Sequence, residues 1–278
     1  MTLSADIKKL YALAAAFFVF CMAAIYLEFY AALALPAGVL MVWLTATKPK
    51  YIFYFLAFAT PLSVHLIDER YSTVNLSIPT EPLIIMLFVG VLFKLLKVKK
   101  LIVAEFSTAL SVLILADFAW LTITAIFSTI PLVSAKYVIV KSWYIVVFYF
   151  LASRFFSSIS VTKKFIWAFI VSVIILSAYT LVMHAQGGFS RAYAYTAMRP
   201  FLPDHGMYAA CISFIVPVLF VFAIHGKSLG YGRMVRVLSA GLFLFMVVAV
   251  ALSFTRASWL SLVVALGIYG VFRLGIRF

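Results

Sequence analysis

About ten stretches of this chain are too apolar and too long to belong to a water-soluble domain. They run near Leu10–Leu27, Phe29–Ala46, Tyr51–Ile67, Glu81–Leu96, Ser107–Phe127, Tyr137–Ser153, Phe165–His184, Gly206–Ile224, Val237–Ser253 and Ala257–Phe272. A helix needs roughly 20 mostly apolar residues to cross the hydrocarbon core of a bilayer, and each stretch comes close to that length. The first two would be too long as one span, and Glu28 marks the turn between them. Continuous apolar runs lack the period-two alternation of a membrane barrel, so strands are not expected. The pattern predicts an all-α polytopic membrane protein of about ten transmembrane helices, one bundle over residues 1–278. Composition agrees: 11% of residues are charged, against about a quarter in soluble domains. Lys8 and Lys9 resemble the basic start of a signal peptide. The run behind them continues past a signal-peptide core without a small-x-small cleavage site, so it reads as a retained first span.

The breaks between the runs carry the basic residues, mostly in every second break. Lys8, Lys9, Lys48, Lys50, Lys94, Lys97, Lys99, Lys100, Arg154, Lys163, Lys164, Lys227, Arg233, Arg236, Arg273 and Arg277 fall on one side. Arg70, Lys136, Lys141, Arg191, Arg199 and Arg256 fall on the other. These sets of sixteen and six account for all 22 lysines and arginines. Cytoplasmic loops hold the excess of Lys and Arg, so both termini are expected in the cytoplasm. The net charge of +14 is then a matter of orientation and of contact with anionic headgroups. Nucleic acid is not an expected partner. Cys21 and Cys211 lie inside apolar runs, which argues against a disulfide or a metal site.

The six outer cations oppose the orientation bias and are the candidates for function. Ser253-Phe254-Thr255-Arg256-Ala257-Ser258-Trp259-Leu260 lies between the ninth and tenth runs. Arg256 there would stand beside a helix N-terminus, whose free N–H groups and dipole favour an anion. Its guanidinium can grip two phosphate oxygens at once, or it can simply anchor in headgroups. Trp259 suits the interfacial aromatic belt. A second tract, from Arg191 to Cys211, adds Arg191 and Arg199. Asp204 suits a helix N-cap, and His205 either packs at the helix start or acts as a general base. Pro217 should kink the eighth span. Lys136, Arg191, Arg199 and Arg256 together would surround one outer-facing anionic ligand.

Within the spans, Asp117 lies near the middle of the fifth and Lys141 one turn into the sixth, with Glu81 opening the fourth. Intramembrane charge is costly and faces the bundle interior or a wet cavity. Asp117 and Lys141 would pair if their spans adjoin, either as a buried pair setting helix register or as support for a site. The sequence shows no metal-ligand spacing, Gly-rich phosphate loop or nucleophile elbow.

Leu252-Ser253-Phe254-Thr255-Arg256-Ala257-Ser258-Trp259-Leu260 resembles the T-x-S-R-x-x-W/F-L signature of the O-antigen ligase and O-antigen polymerase family, with Thr255 where serine is usual. Pro203-Asp204-His205-Gly206-Met207-Tyr208-Ala209-Ala210, followed by Pro217, resembles the block that precedes it, with histidine replacing the family's asparagine. Lys136 resembles a basic residue often found before the sixth span. The resemblance implies a GT-C-like bundle in the bacterial cytoplasmic (inner) membrane. It implies transfer of a glycan from undecaprenyl diphosphate to lipid A–core or to a nascent polysaccharide, without metal or other cofactor. Arg256, Arg199, Arg191 and Lys136 would hold the diphosphate, His205 would be a candidate base, and Asp204, Asp117 and Lys141 would support them. Family members continue into a large outer loop with a catalytic histidine, so the resemblance also implies that this chain is the N-terminal part of a longer protein. A transporter or flippase for a lipid-linked or anionic solute is the alternative from another class, and a non-catalytic scaffold a third.

Overall fold

The computed structural model describes residues 5–26, 35–67, 75–97 and 108–275. Glu28, Arg70, Lys99, Lys100 and Arg277, used above to place loops, lie outside the described residues. Helix dominates, as an apolar medium demands: it pairs backbone N–H and C=O groups within one segment. The chain divides into two compact units at Ile52. The first holds α1 (Ala5–Tyr26), α2 (Leu35–Thr47) and the opening of α3 (Pro49–Ala59). Pro49 opens α3, where a missing N–H costs nothing. Lys48, between α2 and α3, lies 5.9 Å from the centre of the Tyr51 ring.

The second unit holds the rest of α3 and a hairpin of β1 (Val64–Ile67) and β2 (Asn75–Ile78). Next come α4 (Thr80–Lys97), α5 (Ala109–Ile126), α6 (Pro131–Phe156) and α7 (Ile159–Gln186). The short α8 (Arg191–Ala194), then α9 (His205–His225), α10 (Arg233–Leu252) and α11 (Arg256–Arg273), complete it. Five helices, α5, α6, α7, α9 and α10, are long and apolar enough to cross a membrane. The chain is therefore a mainly helical, multi-pass membrane protein. α4 and α11, at 18 residues, equal α5 in length but carry charges at their ends, Glu81, Lys94 and Lys97 in one and Arg256 and Arg273 in the other.

Three expectations change. The stretch Tyr51–Ile67 is not one helix: α3 stops at Ala59, a tight turn follows at Thr60–Leu62, and β1 begins at Val64. Pro61 has no N–H to continue the helical ladder. Eleven residues rise only about 16 Å, short of the hydrocarbon thickness. Strands, not expected, are present as β1 and β2, antiparallel with Val64 opposite Ile78 and Ile67 opposite Asn75. The Ser63 and Thr80 hydroxyls are hydrogen-bonded, tying the hairpin to the start of α4. Finally, α6 begins at Pro131 rather than Tyr137, so Lys136 lies inside the helix and Lys141 ten residues along it.

α7, α9 and α10 build the core. Ile170, Val173 and Leu176 of α7 meet Ile212, Ile215 and Leu219 of α9 and Met246, Ala249 and Val250 of α10, all buried. Between helices in lipid the gain comes from close dispersion contact, since lipid tails are as apolar as leucine. The turn after α9 is tight: a Cβ on Gly226 would collide with the carbonyl oxygen of Phe222. That turn is pinned to α7, where Lys163 donates to the Leu229 carbonyl and Trp167 Nε1 donates to the Tyr231 hydroxyl at 3.1 Å. In α6, Val146–Leu151 widens into a π turn. There the Tyr149 hydroxyl meets Ser111 Oγ at 2.8 Å and Thr108 Oγ1 at 3.3 Å, joining α6 to the start of α5.

Candidate functional site

The link from α7 to α9 is ordered around one histidine. His184, in the last turn of α7, is buried, and its Nε2 lies 3.0 Å from the Ser190 carbonyl oxygen. Ser190 is the N-cap of α8, its hydroxyl accepting from the Tyr193 N–H at 3.4 Å. Arg191 follows as the first residue of α8, and its Nε donates to the Tyr195 hydroxyl at 3.1 Å. The Tyr195 ring stands edge-on to the His205 ring, centroids 4.2 Å apart. Asp204 caps α9 through Oδ1, which accepts from the Met207 N–H at 2.9 Å. Arg199 is exposed, while its backbone carbonyl accepts from the Tyr179 hydroxyl at 2.8 Å.

The turn from α10 to α11 packs on the same histidine. Phe254 adopts a left-handed backbone (φ +53°), and its ring lies 6.1 Å from that of His184. Phe189, also left-handed (φ +54°), lies 5.3 Å from it on the other tract. A bulky residue at positive φ is strained by about 1–2 kcal/mol, and two such residues contact one buried ring here. Trp259 Nε1 donates to the Val250 carbonyl at 2.9 Å, an acceptor it shares with the Ser253 N–H and hydroxyl at the end of α10. Thr255 is the N-cap position and Arg256 the first residue of α11, exposed to the surroundings.

α9 and α11 run parallel, because the starts of both border one groove of about 720 Å³. Its walls are small: Gly206, Ala210 and Ser213 on α9, and Ala257, Ser261 and Ala265 on α11. Ala210, Phe214, Ala257 and Ser261 are exposed, so the groove opens sideways. Pro217 lines it and has no N–H to give the Ser213 carbonyl one turn earlier. The Ser213 hydroxyl is buried with no hydrogen-bond partner among the described residues. Two helix N-termini flank the mouth, each roughly half a positive charge; Arg256 opens α11 next to the lining residues Thr255 and Ala257 without itself lining the groove. The arrangement suits a ligand with an anionic head at the mouth and an apolar body along the walls.

The two tracts singled out in the sequence thus converge at one end of α7, α9, α10 and α11. Arg191, Tyr195 and His205 form one chain of contacts, and His184 joins it to the tract that carries Arg256. Asp204 caps as expected. Lys136 stands apart from these contacts, exposed on the first turns of α6. Asp117 and Lys141 form an ion pair of 3.7 Å between α5 and α6, exposed rather than buried. They meet because α5 ends nine residues after Asp117 and α6 begins ten before Lys141, which sets them at one depth. Sequence reasoning missed His184, read only as the end of a run, and the positive φ of the two phenylalanines.

The fold and the groove define a helical multi-pass membrane protein with a groove between two of its helices at one end. No family model, curated protein or solved structure matches the chain.

Proposed function

We propose that this protein is an O-antigen ligase- or polymerase-like glycosyltransferase of the bacterial cytoplasmic membrane. In this reading it takes a glycan from undecaprenyl diphosphate and joins it to lipid A–core or to a growing polysaccharide on the outer face. The observation that carries the reading is the groove between α9 and α11, with Arg256 exposed where the two parallel helices start. A diphosphate at that mouth meets both helix N-termini and the Arg256 guanidinium, while the polyprenyl chain lies along the small side chains.

The chemistry follows from that placement. An acceptor hydroxyl attacks the anomeric carbon, a new C–O bond forms, and the bond from that carbon to the diphosphate oxygen breaks. Undecaprenyl diphosphate leaves with the electron pair, and its growing charge is balanced by Arg256 with Arg191 and Arg199. The hydroxyl proton passes to a base, for which His205, half-buried at the mouth, is the candidate. The partition of sixteen basic residues against six supports cytoplasmic termini and an outer groove. In this topology α3, its following turn and β1 replace one continuous span.

Arg256→Ala tests the reading through surface polysaccharide. Transfer should fall by about 100-fold or more, the scale of losing one transition-state charge contact, with membrane insertion unchanged. Arg256→Lys should recover part of it, since a point charge replaces the two-pronged grip. Unaltered transfer in Arg256→Ala would count against the reading. Movement of lipid-linked glycan across vesicles with no new glycosidic bond would favour a flippase instead.

A further inference from the structure

Asp117 and Lys141 stand at mid-length of two helices long and apolar enough to cross a membrane. Their contact of 3.7 Å is too long for a hydrogen bond, and it leaves Asp117 67% and Lys141 39% exposed. Leu113 and Trp120, one turn to either side of Asp117, and Tyr137 and Tyr144, one turn to either side of Lys141, are exposed as well. Only 6% of α5 is buried, against 39% for α9, so among the described residues this face is bare. A carboxylate and an ammonium at mid-membrane face protein or water, because lipid solvates neither.

We propose that a second copy of this chain covers the face, the two α5–α6 hairpins lying side by side about a two-fold axis along the membrane normal. Asp117 of each copy then meets the partner's Lys141, and each carboxylate gains a second ammonium. Charge complementarity favours a like copy over another protein. A two-fold interface uses the same patch twice, so residue i meets j and j meets i, and this patch carries one charge of each sign. Rotation about the normal keeps every group at its own depth. Only charges that already share a depth can exchange partners in this way, and Asp117 and Lys141 share one because they touch. The flanking aromatic and leucine side chains supply the close contact that holds membrane helices together. The inference is independent of what the groove binds.

Charge reversal in two differently tagged, co-expressed full-length chains tests it, read as the fraction of one captured with the other. Wild-type copies should co-purify. D117K with itself, and K141D with itself, should lose capture by at least about tenfold, as like charges face one another across the axis. D117K mixed with K141D should regain capture to within about twofold of wild type, because every contact across the axis is again between opposite charges. A pair acting only within one chain gives no such rescue, since both chains keep a broken internal pair. Failure of the mixed pair at normal membrane levels, or absence of wild-type capture, overturns the proposal. If either reversal blocks insertion, oxidation of co-expressed Trp120→Cys and Tyr137→Cys chains decides, both with Cys21 and Cys211 replaced by serine, since positions 120 and 137 share a depth across the axis. Disulfide dimers across the interface support the proposal, and their absence under oxidant overturns it.

Discussion

The α7–α9–α10 core and the α5–α6 hairpin use the same kind of apolar helix to opposite ends. In the core, polar groups point inward: Ser177 Oγ lies 3.7 Å from Met246 Sδ and Thr180 bonds back to the Leu176 carbonyl at 2.8 Å, while the Ser172 and Ser213 hydroxyls have no hydrogen-bond partner among the described residues. Tyr208 is buried beside the Ser177 and Thr180 hydroxyls, although its own hydroxyl completes no hydrogen bond there. In the hairpin, the strongest polar groups, Asp117 and Lys141, point outward from a surface of exposed leucine, tryptophan and tyrosine. Since lipid offers no hydrogen bonds, the direction of polar groups tells which helix faces meet within the chain and which need a neighbour.

The largest expected effect separates the two regions by one truncation made twice. Leu219→Ala, in the core, should destabilise the detergent-solubilised protein by about 2–5 kcal/mol through the cavity it leaves. Ile126→Ala, exposed on the side of α5 away from Asp117, should stay within about 0.5 kcal/mol. Chemical denaturation followed by circular dichroism measures both, and equal losses would break the distinction. A smaller effect should follow His184→Ala, which removes one of two hydrogen-bond partners of the Ser190 carbonyl and the buried ring against Phe189 and Phe254. That change should cost about 0.5–3 kcal/mol. It should also raise proteolytic cleavage after Arg191 and Arg256, while the hairpin's sensitivity stays as it was. Unchanged cleavage at both arginines would show that His184 does not organise that end.

Much of this was readable from residue order alone. The apolar runs gave the helices because their length and composition leave no other way to satisfy a backbone in lipid. Asp204 as a cap was equally readable, an acid placed directly before an apolar run. The Asp117–Lys141 contact was readable in part. Its depth was misjudged because Lys136 was taken as a break, although Pro131 is the usual first residue of a helix. Small residues four apart, Gly206 with Ala210 and Ala257 with Ser261 and Ala265, already signalled a close helix pair. That they line a groove depends on α9 and α11 running side by side, a tertiary fact. The hairpin escaped notice because its strands are four residues long and sit at the end of an apolar run. The left-handed phenylalanines could not be foreseen, since packing on His184 and, for Phe189, an N–H bond of 3.0 Å to the His184 carbonyl hold conformations that phenylalanine itself disfavours.

Retention of undecaprenyl diphosphate by the protein in nanodiscs, compared between wild type and Ser261→Trp, tests the role of the groove most directly. An indole at that position fills the space between α9 and α11 without touching any charge. Wild type should hold the lipid, and Ser261→Trp should hold it at least about tenfold more weakly, the cost of losing a shape-matched apolar wall. Equal retention by the two proteins would contradict the account.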